Sequence, residues 1–293
     1  MLAMQINWRG ADLFRSVGIY ARPDKKEALR LASDLCKYLE NKGLDVKISP
    51  QLARFMEKPK SAVELKDLLS DFIIAVGGDG TILRICMEIP KSDIPLLSVN
   101  MGTKGFLTEV SPEGARKAVD KCLRGRFNLE KCVKISTSIR GRPIPDALND
   151  VLVTASTPSK MLHIQILKDG ISALNIHADG VLLATPVGST GYSLSAGGSA
   201  LDSTLEAFIL TPLFPLEPTK PIVFSDNSTF QIRLLEDKPK ALIIVDGTYQ
   251  EKISHDDDIM LKRSDKVALF IRFEEHFPKR LRSRLAFAVE DYG

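Results

Sequence analysis

The sequence has little of what several common protein classes require. Its 293 residues include four cysteines, and no two of them have the C-x-x-C spacing of a zinc site. The net charge is +3, which is too small to predict a nucleic-acid partner. No apolar run approaches the roughly 20 residues of a membrane helix, and residues 1–14 lack a signal-peptide pattern. We therefore expect a cytoplasmic protein without disulfides, with no nucleic-acid partner and no membrane partner.

Four catalytic signatures are also missing. There is no G-x-x-x-x-G-K-[ST] loop, no protein-kinase catalytic set and no G-x-S-x-G nucleophile elbow. The Gly78-x-Gly80 pattern lacks the third glycine of the dinucleotide fingerprint, because Leu83 stands there. These absences argue against a P-loop protein, a protein kinase, a Rossmann dehydrogenase and a serine hydrolase.

The first part of the chain alternates strands and helices. Apolar runs predict strands at 16–20, 44–48, 72–76 and 95–99. Helical spacing predicts helices at 25–41, 62–69, 82–89 and 111–123, with a surface connection at 54–60. This alternation indicates an α/β domain with a parallel sheet.

From about residue 129 the pattern changes to short alternating strands separated by turn signals. The strands that we predict here are 133–139, 150–154, 163–167, 180–184, 222–224, 229–234, 241–245, 258–263 and 266–271. This pattern predicts a second domain that is all-β and sandwich-like. The domain boundaries that we predict are 1–128 for the α/β domain, 129–271 for the β-rich domain, and 272–293 for a C-terminal tail. The tail contains a basic run at 279–284, and we expect it to pack back on the first domain.

The most informative motif is Gly77-Gly78-Asp79-Gly80-Thr81, directly after the predicted strand at 72–76. Glycines at a strand end let backbone N–H groups approach a phosphate closely, and the N-terminus of the following helix favours the same anion. Asp79 within this turn is a candidate general base or metal ligand for phosphoryl transfer. The alternative is an ordinary tight turn with a polar tip.

A second motif begins at Asp179 and reads DGVLLATPVGSTGYSLSAGGSA. It predicts a strand, a proline turn, and then a bent loop rich in hydroxyls and glycines. Hydroxyls and free backbone amides in such a loop suit a phosphorylated ligand with many hydroxyls of its own. Between the two motifs lies Asn149-Asp150, which either caps a turn or binds ribose hydroxyls and an amide.

Together these motifs resemble those of the NAD kinase family. That family has a GGDGT loop, an Asn-Glu or Asn-Asp pair and a D-G…S-T-P-x-G-S-T-x-Y-S-L-S-A-G-G segment, and all three occur here in that order. Residues 100–108 also resemble the family's N-x-G-x-x-G-F-L-T loop. The resemblance covers most of the chain from about Val17.

The resemblance implies transfer of the γ-phosphoryl group of ATP, or a phosphoryl group of polyphosphate, to the adenosine-ribose 2′-hydroxyl of NAD. It implies an active site between the two domains, a divalent metal ion that we expect to be Mg²⁺, and a homodimer or homotetramer. In this assignment Asp79 accepts the proton, and phosphates bind at Gly77, Gly78 and Thr81. The metal ligands are left unknown. The NAD-binding residues that the resemblance implies are Gly80, Phe106, Asn149, Asp150, Lys160, His177, Asp179, Thr190, Gly191, Tyr192, Ser193, Ser195 and Thr248.

The sequence departs from the family pattern at four positions. Ala184, Gly191, Ser199 and Thr248 stand where the family often has Ser, Ala, Pro and Gln. These departures affect fine ligand contacts more than the reaction. A natural consequence is that Gly191 does not need a positive φ, so Gly191→Ala should stabilise the protein by about 0.4–1 kcal/mol and leave catalysis nearly intact.

Two other functions stay open at this point. A lipid or sugar kinase would use the same GGDG loop with another acceptor, and a non-catalytic sensor would bind NAD without turnover. The hydroxyl-rich segment after Asp179 argues against the first, and the intact Asp79 argues against the second. Two histidine-containing segments have simpler interpretations: His163 as a structural strand residue, and 255–258 as a solvated hairpin turn.

Overall fold

A computed structural model of the chain describes residues 14–102, 105–273 and 281. The described residues form two compact units, one made of 14–131 with 268–273 and 281, the other of 132–267. The predicted domain boundaries stay predictions. Most of the predicted tail, including the basic run at 279–284, lies outside the described residues.

The first unit is built on a parallel sheet with the strand order β2-β1-β3-β4. Its strands are β1 (Ser16–Ala21), β2 (Asp45–Ile48), β3 (Phe72–Gly77) and β4 (Leu96–Asn100). The end of the last strand of the chain, β16 (Ile259–Arg272), pairs in parallel with β4 and places Phe270 beside Leu96. Every residue of β3 is buried, as expected for a parallel strand covered on both faces.

Four α-helices surround this sheet. They are α1 (Lys26–Glu40), α2 (Pro50–Phe55), α3 (Asp79–Glu88) and α4 (Ala115–Leu123). The helix α1 buries its apolar face, including Leu35 and Leu39, in the core that also contains Phe72 and Ile74. Gly43 follows its end at φ +82°, the left-handed conformation that glycine adopts most readily.

Three predictions in this unit were wrong in detail. The predicted helix at 62–69 contains only a 3₁₀ turn at Leu65–Asp67. The predicted connection at 54–60 overlaps α2, which Ser49 caps by accepting the Leu52 N–H at 3.4 Å. The helix predicted from 111 begins at Ala115, because the preceding residues form a turn closed by the Gly114 N–H and the Ser111 carbonyl at 3.1 Å.

The second unit is all-β apart from short helical turns. This architecture and the parallel sheet of the first unit confirm the predicted fold class. One antiparallel sheet has the order β12-β11-β10-β7-β14-β15. A second series runs β16-β13-β8-β9, and the β5-β6 hairpin pairs with β16. The strands not yet given are β5 (Asn128–Ile139), β6 (Arg142–Ala147), β7 (Asp150–Ala155), β8 (Leu162–Lys168), β9 (Ile171–Ala178), β10 (Gly180–Ala184), β11 (Ala207–Leu213), β12 (Ile222–Ser225), β13 (Phe230–Leu234), β14 (Ala241–Val245) and β15 (Tyr249–Ile253).

Cys36, Cys86, Cys122 and Cys132 are all buried. Burial raises the pKa of Cys36 to about 11 and that of Cys122 to about 12, so neither forms a reactive thiolate near neutral pH. Among the described helices, none is long and apolar enough to cross a membrane.

Candidate functional site

In the first unit, a glycine turn joins β3 to α3. Gly77 ends the strand, Gly78 precedes the helix, and Asp79 is the first helical residue. A Cβ on Gly77 would lie 2.3 Å from Thr81 Oγ1, so a larger residue does not fit without rearrangement. The first N–H groups of a helix have no partners within it and attract anions. This turn has the properties predicted for phosphate binding.

The Asp79 carboxylate is held by the loop after β4. Its Oδ2 accepts the Phe106 N–H at 2.9 Å, and its Oδ1 accepts the Leu107 N–H at 3.1 Å. A Cβ on Gly105 would lie 2.4 Å from Asp79 Oδ1, so the close approach of this loop depends on glycine. Each carboxylate oxygen keeps a further lone pair for a proton or a cation. Two residues of the predicted 100–108 loop, 103 and 104, lie outside the described residues.

A buried arginine anchors this loop. Arg272 Nη1 donates to the Leu107 carbonyl at 3.1 Å, and the guanidinium contacts Glu109 at 3.0 Å and Glu130 at 2.6 Å. Ser98 Oγ donates to the same Leu107 carbonyl at 3.0 Å. Sequence reasoning missed Arg272, because a single cation at the end of an apolar strand carries no local signal.

In the second unit, Asp246 organises the Asn149-Asp150 pair. Its Oδ2 accepts the Leu148 N–H at 2.8 Å, and its Oδ1 accepts the N–H groups of Asn149 at 2.7 Å and Asp150 at 3.0 Å. Asp246 and Gly247, both with positive φ, form the tight turn between β14 and β15. The Asp246-Gly247 turn therefore holds the backbone of the pair.

Two carboxyl groups are buried at this turn. Burial, and after it the charge of Asp246, raises the pKa of Asp150 to about 7. Burial also raises the pKa of Asp246, but three N–H donors and the charge of Lys134 act against it. The three N–H donors favour the charged form of Asp246, and Asp150, with a pKa of about 7, gains or loses its proton near neutral pH.

The Asn149 side chain has an unused acceptor. Its Oδ1 is buried and has no hydrogen-bond partner among the described residues. Buried polar atoms in folded proteins nearly always have a partner. A donor N–H or O–H of a bound molecule would satisfy this oxygen.

The loop after β10 packs directly against Asn149. The Thr185 N–H donates to the Asn149 carbonyl at 2.9 Å. A Cβ on Gly188 would lie 1.9 Å from that carbonyl oxygen, so only glycine allows this contact. Gly191 has φ −94°, and a Cβ added there would lie 4.0 Å from Asn149 Nδ2. The structure thus brings Gly191 together with the Asn149-Asp150 pair.

Several hydroxyls of this loop are used inside the protein. Thr190 Oγ1 donates to the Val187 carbonyl at 3.0 Å, and Ser193 Oγ shares a hydrogen bond of 2.8 Å with Thr211 Oγ1. Thr190 and Ser193 are buried, so their side chains shape the turn. Tyr192 and Ser195, in contrast, are exposed.

Three further predicted positions lie close to Asp79 or in the turn between β14 and β15. Gly80 lies in the first turn of α3 with open space beside its Cα. Phe106 is buried next to Asp79, which accepts its N–H. Thr248 Oγ1 donates to the Asp246 carbonyl at 3.2 Å in the turn that holds the Asn-Asp pair.

The remaining predicted positions have other surroundings. Lys160 is exposed in the connection between β7 and β8. The His177 ring stacks on the His163 ring with centroids 4.1 Å apart. Asp179 follows β9, and its N–H donates to a carbonyl of β11. Among the described hydrogen bonds, none joins the side chains of Lys160, His177 or Asp179 to Asn149.

Each unit therefore has a distinct chemical capacity. The first offers an anion-binding turn beside a carboxylate that can accept a proton. The second offers a buried amide oxygen and a titrating carboxyl for a polar ligand. Positioning of phosphates together with a proton acceptor is what phosphoryl transfer to a hydroxyl requires.

Comparison with known families gives two matches. The model of the ATP-NAD kinase N-terminal domain matches residues 17–127, which include the turn at Asp79. The model of the ATP-NAD kinase C-terminal domain matches residues 148–273, which include the Asn149-Asp150 pair.

Individual proteins give the same result. The chain is 38% identical over 271 residues to an NAD kinase of Methanothermobacter thermautotrophicus, covering 92% of this chain and 95% of that protein. It resembles the crystal structure of an NAD kinase from Archaeoglobus fulgidus in complex with ATP, with a TM-score of 0.73, 30% identity, and coverage of 92% of this chain and 99% of that one. Yeast NADH kinase complexed with NADH shares the fold, with a TM-score of 0.87, 22% identity, and coverage of 95% and 89%.

Proposed function

The chain belongs to the NAD kinase family and is an enzyme that phosphorylates NAD, and we propose that its phosphoryl donor is ATP. The Archaeoglobus fulgidus relative, which was crystallised in complex with ATP, supports ATP over polyphosphate. The glycine turn before α3 supports the same proposal, because its backbone can approach a polyphosphate chain closely.

The observation that carries the acceptor site is the unpartnered Asn149 Oδ1. NAD offers ribose hydroxyls and amide N–H groups that can donate to this oxygen. The Asp150 carboxyl lies beside it in sequence and, once ionised, accepts hydroxyl donors. In this proposal Asn149 and Asp150 bind NAD, and the exposed Tyr192 and Ser195 contribute further contacts. Gly80, Phe106, Lys160, His177, Asp179, Thr190, Gly191, Ser193 and Thr248 stay predictions as NAD contacts.

In the donor site, Gly77, Gly78 and Thr81 would bind the phosphates. A divalent metal ion, which we propose to be Mg²⁺, would enter bound to ATP and neutralise the charge of the phosphates. The Asp79 carboxylate fits such an ion, because Mg²⁺ in kinases takes one or two carboxylates and otherwise phosphate and water oxygens. Both carboxylate oxygens keep a lone pair beyond their N–H bonds.

The reaction then runs as a direct transfer. The 2′-oxygen of the adenosine ribose forms a bond to the γ-phosphorus, and the bond from that phosphorus to the β,γ-bridging oxygen breaks, which releases ADP. Asp79 accepts the proton that leaves the hydroxyl. The two backbone N–H groups of Phe106 and Leu107 fix the orientation of its carboxylate, so Asp79 needs no rearrangement during transfer.

A donor and acceptor screen tests this function. Purified protein is incubated with Mg²⁺, NAD and either ATP or polyphosphate, and NADP is measured by chromatography. We expect NADP and ADP in equal amounts with ATP. Formation of NADP with polyphosphate but not with ATP would contradict the proposed donor. Phosphorylation of lipids or sugars, but not of NAD, in the same assay would contradict the acceptor assignment.

The acceptor site is tested by Asn149→Ala. Loss of one neutral hydrogen bond costs about 0.5–1.5 kcal/mol, so we expect the KM for NAD to rise about 2- to 12-fold while the KM for ATP stays constant. The control is Asn227→Ala, at an exposed turn position, which should change neither constant. A rise in the KM for ATP alone would move Asn149 to the donor site.

We also propose a homodimer or homotetramer. The connection between β11 and β12 exposes two large apolar side chains, with Phe214 80% and Leu216 69% accessible. Exposed apolar groups so close together suit burial in a subunit interface. Light scattering coupled to gel filtration measures the mass, and a monomer at working concentration would contradict the proposal. The cytoplasmic location stays a prediction.

A further inference from the structure

We propose that the β8–β9 hairpin carries a binding site for a transition-metal ion such as Zn²⁺, formed by His163, His177 and Glu236. The proposed kinase reaction does not use this site. The proposal gives His177 a role other than the dinucleotide contact predicted from the sequence, and it gives His163 more than a structural role.

The two histidines face each other directly across the hairpin. His163 and His177 are partners in the antiparallel register of β8 and β9. One nitrogen of each ring and one carboxylate oxygen of Glu236 lie within 4.8 Å of one another. Ligand atoms around a tetrahedral zinc ion lie roughly 3.3 Å apart, because the metal–nitrogen bonds measure about 2.0–2.1 Å. The two rings stack with their planes 22° apart, so at least one ring must turn about its χ2 bond before both lone pairs point at one ion.

The second nitrogen of each ring already has a partner. His163 Nε2 lies 2.7 Å from Asn175 Oδ1, so in the neutral ring Nε2 carries the hydrogen and the lone pair is on Nδ1. That Nδ1 faces a Glu236 oxygen at 3.5 Å.

His177 is fixed in a corresponding way. Its Nδ1 lies 3.0 Å from a Glu217 oxygen, so this nitrogen donates and Nε2 keeps the lone pair. Metal-binding histidines usually donate their other N–H to a carboxylate or a carbonyl oxygen in this manner. Asn175 and Glu217 therefore hold both rings in the tautomers that bind a metal ion.

The charge and the donor atoms select the class of metal. The carboxylates of Glu217 and Glu236 lie beside the two rings and favour a divalent cation. Imidazole suits Zn²⁺, Ni²⁺ and Cu²⁺, whereas Mg²⁺ prefers an all-oxygen shell. The Mg²⁺ of the kinase reaction should therefore not compete.

The test measures Zn²⁺ binding by calorimetry to the full-length, EDTA-treated protein in the presence of excess Mg²⁺. The wild type should bind one Zn²⁺ per chain, and Zn²⁺ should raise its melting temperature. We expect His163→Gln to lose at least tenfold in affinity. Asn175→Ala, which removes only the partner of the ring, should lose about 10- to 100-fold.

The matched control is His255→Gln. His255 is also an exposed histidine beside carboxylates, with Asp237 at 3.2 Å and Asp256 at 3.1 Å, but among the described residues no second imidazole belongs to a metal-binding group with it. This variant should bind Zn²⁺ as the wild type does. NADP formation with Mg²⁺ and no Zn²⁺ should be unchanged in His163→Gln, which shows that the variant is folded. Wild-type Zn²⁺ affinity in His163→Gln would overturn the proposal, since the two rings would then be only a stacked surface pair.

Discussion

At the scale of single residues, two aspartates have opposite surroundings. Asp79 accepts two backbone N–H bonds at the start of a helix. Asp150 is buried near the charge of Asp246, an environment that favours its proton. We therefore expect the two residues to respond differently when each is changed to asparagine.

For Asp79→Asn we expect kcat to fall by about 10²–10⁴-fold, the usual effect of losing a general base. The variant should also be less stable by about 1–3 kcal/mol, because the new NH₂ group faces one of two backbone N–H donors. Steady-state kinetics and urea denaturation measure the two effects. Asp93→Asn, at an exposed position after α3, is the control and should change neither. Wild-type kcat in Asp79→Asn would show that Asp79 is not the base.

Asp150 should make the free energy of unfolding depend on pH. Its pKa is about 7 in the folded state against 3.8 for an ordinary aspartate, so the fold favours the protonated form. The stability that this group contributes is complete below about pH 4 and is lost as the pH rises through 7. Between pH 4 and pH 8 the wild type should lose on the order of 3 kcal/mol relative to Asp150→Asn, since each pKa unit is worth about 1.4 kcal/mol.

Urea denaturation of both proteins over this pH range measures the difference. Other titrating groups are common to the two proteins and cancel. A difference that stays constant from pH 4 to pH 8 would mean that Asp150 is already ionised in the folded protein at low pH.

At the scale of elements, the loop after β10 depends on contact between backbones. Gly188 lies against the Asn149 carbonyl, and Thr185 binds the same carbonyl. The turn between β14 and β15 holds the other side of the Asn-Asp pair through Asp246. The Asn149-Asp150 pair, which we propose to bind NAD, is therefore positioned by two separate elements, and a shift of either element would displace it.

Two glycine substitutions in this loop should have different effects. In Gly188→Ala the new Cβ would meet backbone at 1.9 Å, so we expect a loss of about 1–3 kcal/mol or more and a higher KM for NAD. In Gly191→Ala the Cβ would lie 3.2 Å from the Gly188 carbonyl oxygen, so the neighbour must move only slightly. This crowding offsets the gain of about 0.4–1 kcal/mol expected from a stiffer unfolded chain.

Thermal melts and NAD kinetics on the two variants decide this prediction. Gly191→Ala should stay within about 1 kcal/mol of the wild type and keep its KM for NAD. Equal destabilisation of both variants would mean that the loop is rigid as a whole. In that case the tolerance expected at Gly191 from the family resemblance would be wrong.

At the scale of the whole molecule, the first unit is completed by the end of the chain. Residues 268–273 belong to it, although 136 residues of the second unit, 132–267, precede them. This return places Phe270 beside β4 and buries Arg272 with Glu109. The stability of the first unit therefore depends on residues that are synthesised after the second.

Arg272→Met tests this dependence. The Glu109 side chain is 1% exposed, and without Arg272 it would be left buried without its cation. Breaking a buried ion pair in this way costs about 3–5 kcal/mol. As a control, Arg140→Met breaks the ion pair between Arg140 and Asp257. The Arg140 side chain is 58% exposed, so this loss should cost at most about 1 kcal/mol.

Urea denaturation compares the two variants. We expect the free energy of unfolding of Arg272→Met to be far below that of Arg140→Met. In Arg272→Met, kcat should also fall, because the Leu107 carbonyl loses one of its two donors and the loop that orients Asp79 is less firmly held. Similar stability of the two variants would show that the buried pair contributes no more than an exposed one.

Local patterns in the sequence determined the elements that carry the chemistry. The strands at Gly180–Ala184 and Ala241–Val245 have the bounds predicted from their apolar runs and turn residues. The glycine turn at Asp79 lies between a buried strand and a helix, as its composition indicates. These features depend on residues within a few positions of one another, so their conformation follows from neighbours in the chain.

Some strands could not be found in this way. Strand β6 contains two prolines, Pro143 and Pro145, which argue against a strand, yet it pairs with β5 at the edge of its sheet. The two strands predicted at 258–263 and 266–271 are one strand, β16, although Asp265 and Lys266 interrupt its apolar pattern. Pairing with neighbouring strands overrode the local signal in both cases.

The tertiary structure alone decided how the site residues are held. Asp246 binds the Leu148 N–H across 98 positions of sequence, and Arg272 binds the Leu107 carbonyl across 165. The proton on Asp150 likewise depends on burial beside Asp246. The sequence by itself determined which groups take part, because motif composition is local. Their partners and charges arise only when distant segments come together, since hydrogen bonding and desolvation act through space and not along the chain.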